Sequence, residues 1–340
     1  MVKVGMGFIG SGFLANKLAW CYRRMPDVEL VAVSSRTEGH AREFARRYGL
    51  KAWYTDYREM LKRDDVDAVN ICVPNYLHAS TTIASAENGK HVLCTKPLAI
   101  TMDEAEDMVS ACKRSNVTLM YGENWLYTPA TIKMRSLIEE GALGRVLAIE
   151  AREQHSGSHS PYATKRKYAG GGVLIHMAVH PIGFIMHMMD KPVRKVYAEL
   201  GNLLHDLEGE DYAVVLMRFE GGGLGIAQSN YITKGGMQDR IEIYGSEGMA
   251  FINLTHSNPI RIYSDVGYSY VVEKATMSRG WTSPVIEENI QYGFYNMTRH
   301  FVDCILGDKE PISTGEFGRE VLRVVFAGYE SNEKGKAVKL

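Results

Sequence analysis

The chain has 340 residues, with 39 basic against 40 acidic side chains and a net charge of −1. That length corresponds to two domains, each able to bury its own core, and the composition, 45% hydrophobic and 23% charged, is that of a soluble globular protein. A near-neutral balance without a dense Lys/Arg block excludes nucleic acid or an anionic membrane as the main partner.

Residues 2–9 predict a strand, whose apolar run at 4–9 is too short for the core of a signal peptide. Residues 13–24 follow as a helix with Leu14, Leu18 and Cys21 on one face. Residues 28–34 are apolar and β-branched, a second strand, and 38–48 a basic helix. A third strand at 67–73 ends at Pro74, and a helix at 76–88 stops at Gly89. Residues 91–95 read as a strand, 103–115 as a helix and 118–122 as another strand. Near-continuous apolar strands alternating with helices imply a parallel sheet covered on both faces.

After residue 121 the pattern changes. A helix at 132–140 ends at Gly141, and strands follow at 145–153, 193–200, 212–219, 223–231, 240–245 and 250–254. Gly221-Gly222-Gly223 and Gly235-Gly236 punctuate them as turns, so an antiparallel sheet is expected. Late helices span 287–306 and 315–331. The longest stretch without Asp, Glu, Lys or Arg, 168–189, holds Gly170, Gly171, Gly172, His176, His180, Pro181 and His187, a poor membrane span. Cys21, Cys72, Cys94, Cys112 and Cys304 form no CxxC, which fits reduced thiols in a cytoplasmic protein.

Gly10, Gly12 and Ala15 match the G-x-G-x-x-G/A fingerprint at the turn from first strand to first helix. The first glycine permits the tight turn, the second admits a pyrophosphate to the backbone, and the small third residue lets helix and strand pack. Gly10, Ser11, Gly12, Phe13 and Leu14 are therefore the candidate phosphate cradle. The second strand ends in Ser34-Ser35-Arg36-Thr37, where an NAD site commonly carries an acid. Ser35, Arg36 and Thr37 suit the extra phosphate of NADP, which is favoured over NAD. The expected fold class is α/β. Residues 1–122 form an N-terminal Rossmann domain, and 123–340 form a C-terminal α/β domain with an open, mostly antiparallel sheet. The final helices are expected to pack back on domain one.

Three further segments carry a family likeness. Cys72-Val73-Pro74-Asn75-Tyr76-Leu77-His78 looks like a C-x-P-N-x-x-H turn after a Rossmann strand. Thr95-Lys96-Pro97 looks like an E-K-P segment, and residues 170–180 look like G-G-G-x-L-x-D-x-G-x-H. With the fingerprint, these resemble the Gfo/Idh/MocA family (glucose–fructose oxidoreductase, inositol dehydrogenase and relatives) over nearly the whole chain. The resemblance implies hydride transfer between a nicotinamide cofactor and a hydroxyl-bearing carbon of a sugar, sugar derivative or cyclitol. It implies Lys96 and His180 as the catalytic pair, with His176 assisting, and Cys72, Pro74, Asn75, His78, Thr95 and Asn124 bordering the cofactor. It also implies a homodimer or homotetramer assembled through the open sheet face. The sequence departs from the pattern at Thr95, where the family has glutamate, at His176, where it has aspartate, and at Gly183, where it is often acidic. These departures keep two alternatives open: a redox-neutral lyase, hydrolase or epimerase using bound nucleotide transiently, and a non-catalytic sensor.

His155, His159, His176 and His180 give four imidazoles that the family fold brings towards one cleft. They suit substrate hydroxyls, structural hydrogen bonds or, with Glu153, a metal ion, of which the metal is the least favoured. Pro181 marks the first turn of a helix, so the dipole at its N-terminus disfavours imidazolium and His180 is expected to act as a neutral acid/base. Trp125 is a candidate substrate wall. Tyr231, Lys234, Arg240 and Tyr292 are further candidates, and His187, among Met186, Met188 and Met189, reads as a core histidine.

Overall fold

Every residue of β1 (Val4–Ile9) is buried, as the central strand of a parallel sheet covered on both faces must be. The computed structural model describes residues 3–158, 162–255, 262–264, 280–282 and 287–340. The chain divides into two units, Met1–Asn124 with Gly293–Glu320, and Trp125–Tyr292 with Val321–Leu340.

In the first unit β1 is followed by α1 (Phe13–Tyr22), β2 (Val28–Ser34), α2 (Glu38–Tyr48), β3 (Ala52–Tyr54) and α3 (Tyr57–Leu61). Then come β4 (Ala68–Ile71), α4 (His78–Glu87), β5 (His91–Thr95), α5 (Met102–Arg114) and β6 (Leu119–Gly122). All pairings are parallel and the strand order is β3-β2-β1-β4-β5-β6, two βαβ halves diverging from β1 and β4. Phe8 meets Tyr22 and Phe44 in the core, and the buried Tyr22 hydroxyl donates to Asn70 Oδ1 at 2.9 Å. Thr101 caps α5 by accepting from the Glu104 amide, and Asp56 caps α3 through Arg58.

The second unit opens with α6 (Pro129–Glu139), β7 (Val146–Gln154), α7 (Arg166–Ala169), α8 (Val173–His176) and α9 (Val179–Met189). It continues through β8 (Val193–Gly201), β9 (Tyr212–Phe219), β10 (Leu224–Asn230), β11 (Gln238–Gly245) and β12 (Met249–Asn253). The short pair β13 (Ile262–Ser264) and β14 (Gly280–Thr282) and the turn of helix α10 (Glu288–Gln291) complete the run. The chain then returns to the first unit with α11 (Phe294–Ile305), which packs on α1. After that, α12 (Gly315–Lys334) and β15 (Val338–Lys339) end it. The seven-stranded sheet has the order β12-β11-β7-β10-β9-β8-β15. Its pairings are antiparallel except β7 with β10, which run parallel. Ile149, Ala151 and Glu153 alternate with Glu150, Arg152 and Gln154 along β7, the first set buried on the helix-covered face and the second on the open face.

Helix α6 begins three residues before its sequence-predicted start because Pro129 occupies its first turn and Thr128 Oγ1 accepts from the Thr131 amide. The single helix predicted over 287–306 is broken by Gly293 at φ +80° into α10 and α11. All five cysteines are free thiols. Among the described residues no single helix is long and apolar enough to cross a membrane.

His187 is half-buried rather than a core residue: the Arg135 guanidinium donates to its backbone carbonyl at 2.9 Å. Burial, with Arg135 close by, holds its imidazole down at about 4. An unfolded histidine titrates near 6.5, so below that pH the unfolded chain takes the proton first. Stability contributed by neutral His187 is complete above pH 6.5 and is lost between 6.5 and 4. The loss is about 3 kcal/mol for a shift of this size. His187→Gln, which cannot take the proton, should flatten the fall of unfolding free energy over this pH window in urea titrations.

Candidate active site

Gly10 adopts φ +104°, and a Cβ there would stand 2.2 Å from the Cys72 carbonyl oxygen, so only glycine fits between β1 and β4. Gly12 is the N-cap of α1, and a Cβ built on it meets nothing within 4 Å. Helix α1 has no side-chain cap and no acid in its first turn, while Ala15 is fully buried against the sheet. An open space over bare amide groups at a helix N-terminus fits the pyrophosphate of a dinucleotide. Ser11 and Leu14 flank this turn half-buried, and Phe13 is 57% exposed. At the end of β2, Ser34 is buried, Ser35 half-buried, and Arg36 and Thr37 are exposed at the start of α2. No acid stands at 34–37.

Cys72, Pro74 and Asn75 form a half-buried turn after β4. His78 begins α4 and is almost fully buried. Its Nδ1 lies 2.8 Å from the Pro97 carbonyl oxygen and its Nε2 3.0 Å from that of Val73, and burial holds its ring below the ordinary histidine range. The imidazole thus ties the turn after β4 to the segment after β5. The Thr95 hydroxyl is likewise occupied, donating to the Ile71 carbonyl at 2.9 Å between β5 and β4. Sequence reasoning placed both residues beside the cofactor; in the fold each side chain also reaches the backbone of the neighbouring strand ends. Lys96 follows β5 directly and is half-buried, with Pro97 buried behind it. Asn124 closes the unit, after a fully buried Glu123 that the sequence reading did not single out.

The second unit gathers polar groups where the parallel pair β7 and β10 ends. His155 directly follows β7 and Tyr231 directly follows β10, their rings 5.2 Å apart. Ligand sites in sheets form outside the carboxyl ends of parallel strands, because the chain turns away there. Two residues back, Glu153 pairs in register with Ser229 on β10 and with Asp239 on β11, and all three are buried. Glu153 Oε2, Ser229 Oγ and the Tyr231 hydroxyl have no hydrogen-bond partner among the described residues. Burial, with the Glu153 and Glu210 charges nearby, pushes the Tyr231 hydroxyl far above the ordinary tyrosine range.

His180 is the second residue of α9, and its Nε2 stands 3.9 Å from Glu153 Oε2. Its ring stacks on Trp125 at 5.7 Å and 16°, and Trp125 meets Phe184 edge-on. Trp125, placed as a substrate wall by the sequence, is 2% exposed and acts here as the backing of the imidazole. His176 ends α8, 3.5 Å from Ser158 Oγ and 6.4 Å from the Tyr231 ring. The glycines before α8 explain its placement. A Cβ on Gly171 would strike the Tyr329 hydroxyl and one on Gly172 the Glu210 backbone. This close approach lets Glu210 accept from the Gly172 and Leu174 amides at 3.2 and 2.8 Å. Tyr329 donates to the same carboxylate at 2.9 Å.

His159 lies outside the described residues. Among those described, no three His, Cys, Asp or Glu side chains are grouped to hold a metal ion. Arg240 points to the open face, since Asp239 and Ile241 take the covered one. Lys234 is exposed, and Tyr292 is buried beside α10. Ser229 and Asp239 were missed, and Glu153 was read only as a metal ligand. Their signal is a polar residue in the inward phase of an otherwise apolar strand.

Comparison with known proteins places both units in one family. Residues 4–123 match GFO_IDH_MocA, an oxidoreductase family with an NAD-binding Rossmann fold, and residues 131–251 match the GFO/IDH/MocA C-terminal domain. The protein is a nicotinamide-dependent oxidoreductase. It is 30% identical to 1,5-anhydro-D-fructose reductase of Ensifer adhaerens, over 71% of this chain and 73% of that protein. The chain belongs to the Gfo/Idh/MocA family. Myo-inositol 2-dehydrogenase of Thermotoga maritima is 27% identical over 98% of both chains. GenD2 from gentamicin A biosynthesis, solved in complex with NAD, aligns with a TM-score of 0.95 at 27% identity, over 100% of this chain and 97% of that one.

Proposed function

We propose that the protein is a dehydrogenase or reductase acting on a hydroxyl-bearing carbon of a sugar, sugar derivative or cyclitol, with NADP preferred over NAD. The observation that carries this reading is the pair of unpartnered inward oxygens on Ser229 and Tyr231 at the end of β10. Each such group costs about 1–3 kcal/mol while unpaired, and a polyol offers the hydroxyls that pair them. The relatives named for inositol and anhydrofructose support the substrate class.

When bound, the nicotinamide supplies the acceptor or donor for hydride. Gly10 and Gly12 admit the pyrophosphate; Ser35, Arg36 and Thr37 receive the ribose phosphate; Pro74 and Asn75 border the nicotinamide half. Lys96 polarises the reacting oxygen, and His180 takes or returns the hydroxyl proton. His176 and His155 hold neighbouring hydroxyls. The protein works in the cytoplasm as a homodimer or homotetramer joined through the open sheet face.

A panel of sugars and cyclitols, each with NADP⁺ and NAD⁺, tests the reaction by absorbance of the reduced nicotinamide; tight nucleotide binding with no reduction anywhere would overturn it. For the cofactor, NADPH should bind about tenfold more tightly than NADH, from one charge-assisted phosphate contact. Arg36→Ala should bring the two affinities together in fluorescence titrations. Equal affinities in the unaltered protein would remove the NADP preference.

A further inference from the structure

We infer that Glu153 is the positioning residue for His180, holding the imidazole and pairing the charge it acquires when it accepts the substrate proton. The inference rests on the reading of His180 as proton acceptor. Along β7 the covered face carries Ile149 and Ala151, and then a carboxylate that is 5% exposed. A buried carboxylate is costly unless a positive partner faces it. Glu153 Oε2 has no hydrogen bond among the described residues, while His180 Nε2 stands 3.9 Å away. That gap is wider than a hydrogen bond and short enough for strong attraction once the ring is charged.

Further contacts hold the ring in place. Trp125 stacks on one face, and the His180 amide donates to the Met177 carbonyl at 3.0 Å as α9 begins. The helix N-terminus opposes imidazolium, so a facing carboxylate offsets that field at the one place where the proton must land. Among the described residues, ionisable groups around this pair include Asp239 across from Glu153 on β11, His155 following it on β7, His176 on α8, Tyr231 after β10 and Glu210, whose charge also acts on Tyr231. During oxidation the carbon-bound hydrogen leaves with its electron pair for the nicotinamide and the hydroxyl proton passes to His180. A carbonyl results.

Glu153→Gln keeps the shape and removes the charge. In protein carrying ¹⁵N-ring-labelled histidine and bound nucleotide, the His180 signal, identified by its loss in His180→Gln, should titrate about one pH unit lower in Glu153→Gln. With a substrate from the panel, kcat should fall about 30-fold with KM within about threefold, and Glu153→Asp should recover part of the loss. An unmoved titration, or an unchanged kcat, would overturn the pairing. Asp239→Asn moving the His180 titration equally far would overturn it too, since the effect would then be a general field. If Glu153→Gln does not fold, Glu153→Asp decides on the same titration. Full turnover in His180→Gln would instead strike the proton-acceptor assignment itself, whatever Glu153 does to the titration.

Discussion

Lys96→Met should lower kcat by about a hundred- to a thousandfold while leaving the dissociation constant for the dinucleotide within about threefold. The backbone that carries Lys96 is held on both sides. Thr95 is tied to Ile71 across β5 and β4, and the Pro97 carbonyl lies against His78. Methionine has nearly the same length and apolar stem, so the segment keeps its place and loses only the ammonium. That group is assigned to the oxygen that gains or loses charge during hydride transfer, where one fixed donor is worth about 3–4 kcal/mol of barrier. A charge used in the transition state shows in kcat, whereas one used only to hold nucleotide shows in binding. Initial rates on a panel substrate, with nucleotide affinity measured separately, distinguish the two. A variant with full kcat would remove Lys96 from the chemistry, and one with unchanged kcat and weakened nucleotide binding would move it to the cofactor.

Gly10→Ala and Gly12→Ala should fail in opposite ways. At Gly10 the added methyl meets the Cys72 carbonyl at 2.2 Å in a left-handed backbone conformation. Strain and overlap together should cost about 3 kcal/mol or more, lowering the first unit's thermal midpoint by roughly 6–12 °C. At Gly12 the methyl enters open space, so the thermal midpoint should stay within about 2 °C. The methyl then occupies the approach to the α1 amide groups, and the dissociation constant for NADP(H) should rise at least about tenfold. Calorimetry and nucleotide titration of the two variants separate fold from cradle. Unimpaired nucleotide binding in Gly12→Ala would mean that the pyrophosphate does not rest on this turn.

The strands of the first unit were legible because burial on both faces leaves little choice of residue. Thus 28–34 and 91–95 were read with their exact bounds as β2 and β5. The edge strand β3 was missed: it has three residues, its Trp53 is 36% exposed, and no period emerges from so short a run. The break at Gly293 was also missed, since a glycine inside a helical pattern shows its left-handed conformation only once the flanking turns are built. Within the candidate site, Gly10 could be read from sequence, because it stands in a short local fingerprint at a strand-to-helix turn, although the Cys72 carbonyl that excludes a side chain there lies far along the chain. Thr95 and His78 could not, because the carbonyl groups they reach, Ile71 and Pro97, lie 24 and 19 residues away. Glu153 and Ser229 lie between these cases. Counting in twos from Ile149 and from Gly225 puts both on the covered face, and a polar side chain in that phase needs a partner.

The alternation along β7 has a consequence for how this gene can vary. Glu153 and Arg152 are neighbours in sequence but serve opposite surfaces, Arg152 meeting Glu242 on the open face. Loss or gain of a single codon between 146 and 152 would exchange them, driving a guanidinium under the helices and the carboxylate out to the other side. Point substitutions at 150 and 152 can therefore accumulate without touching specificity, whereas length changes in this strand cannot. Insertions that diversify the protein are confined to the connections, and a library aimed at new substrates should be varied at 155, 229 and 231 in an unshifted frame.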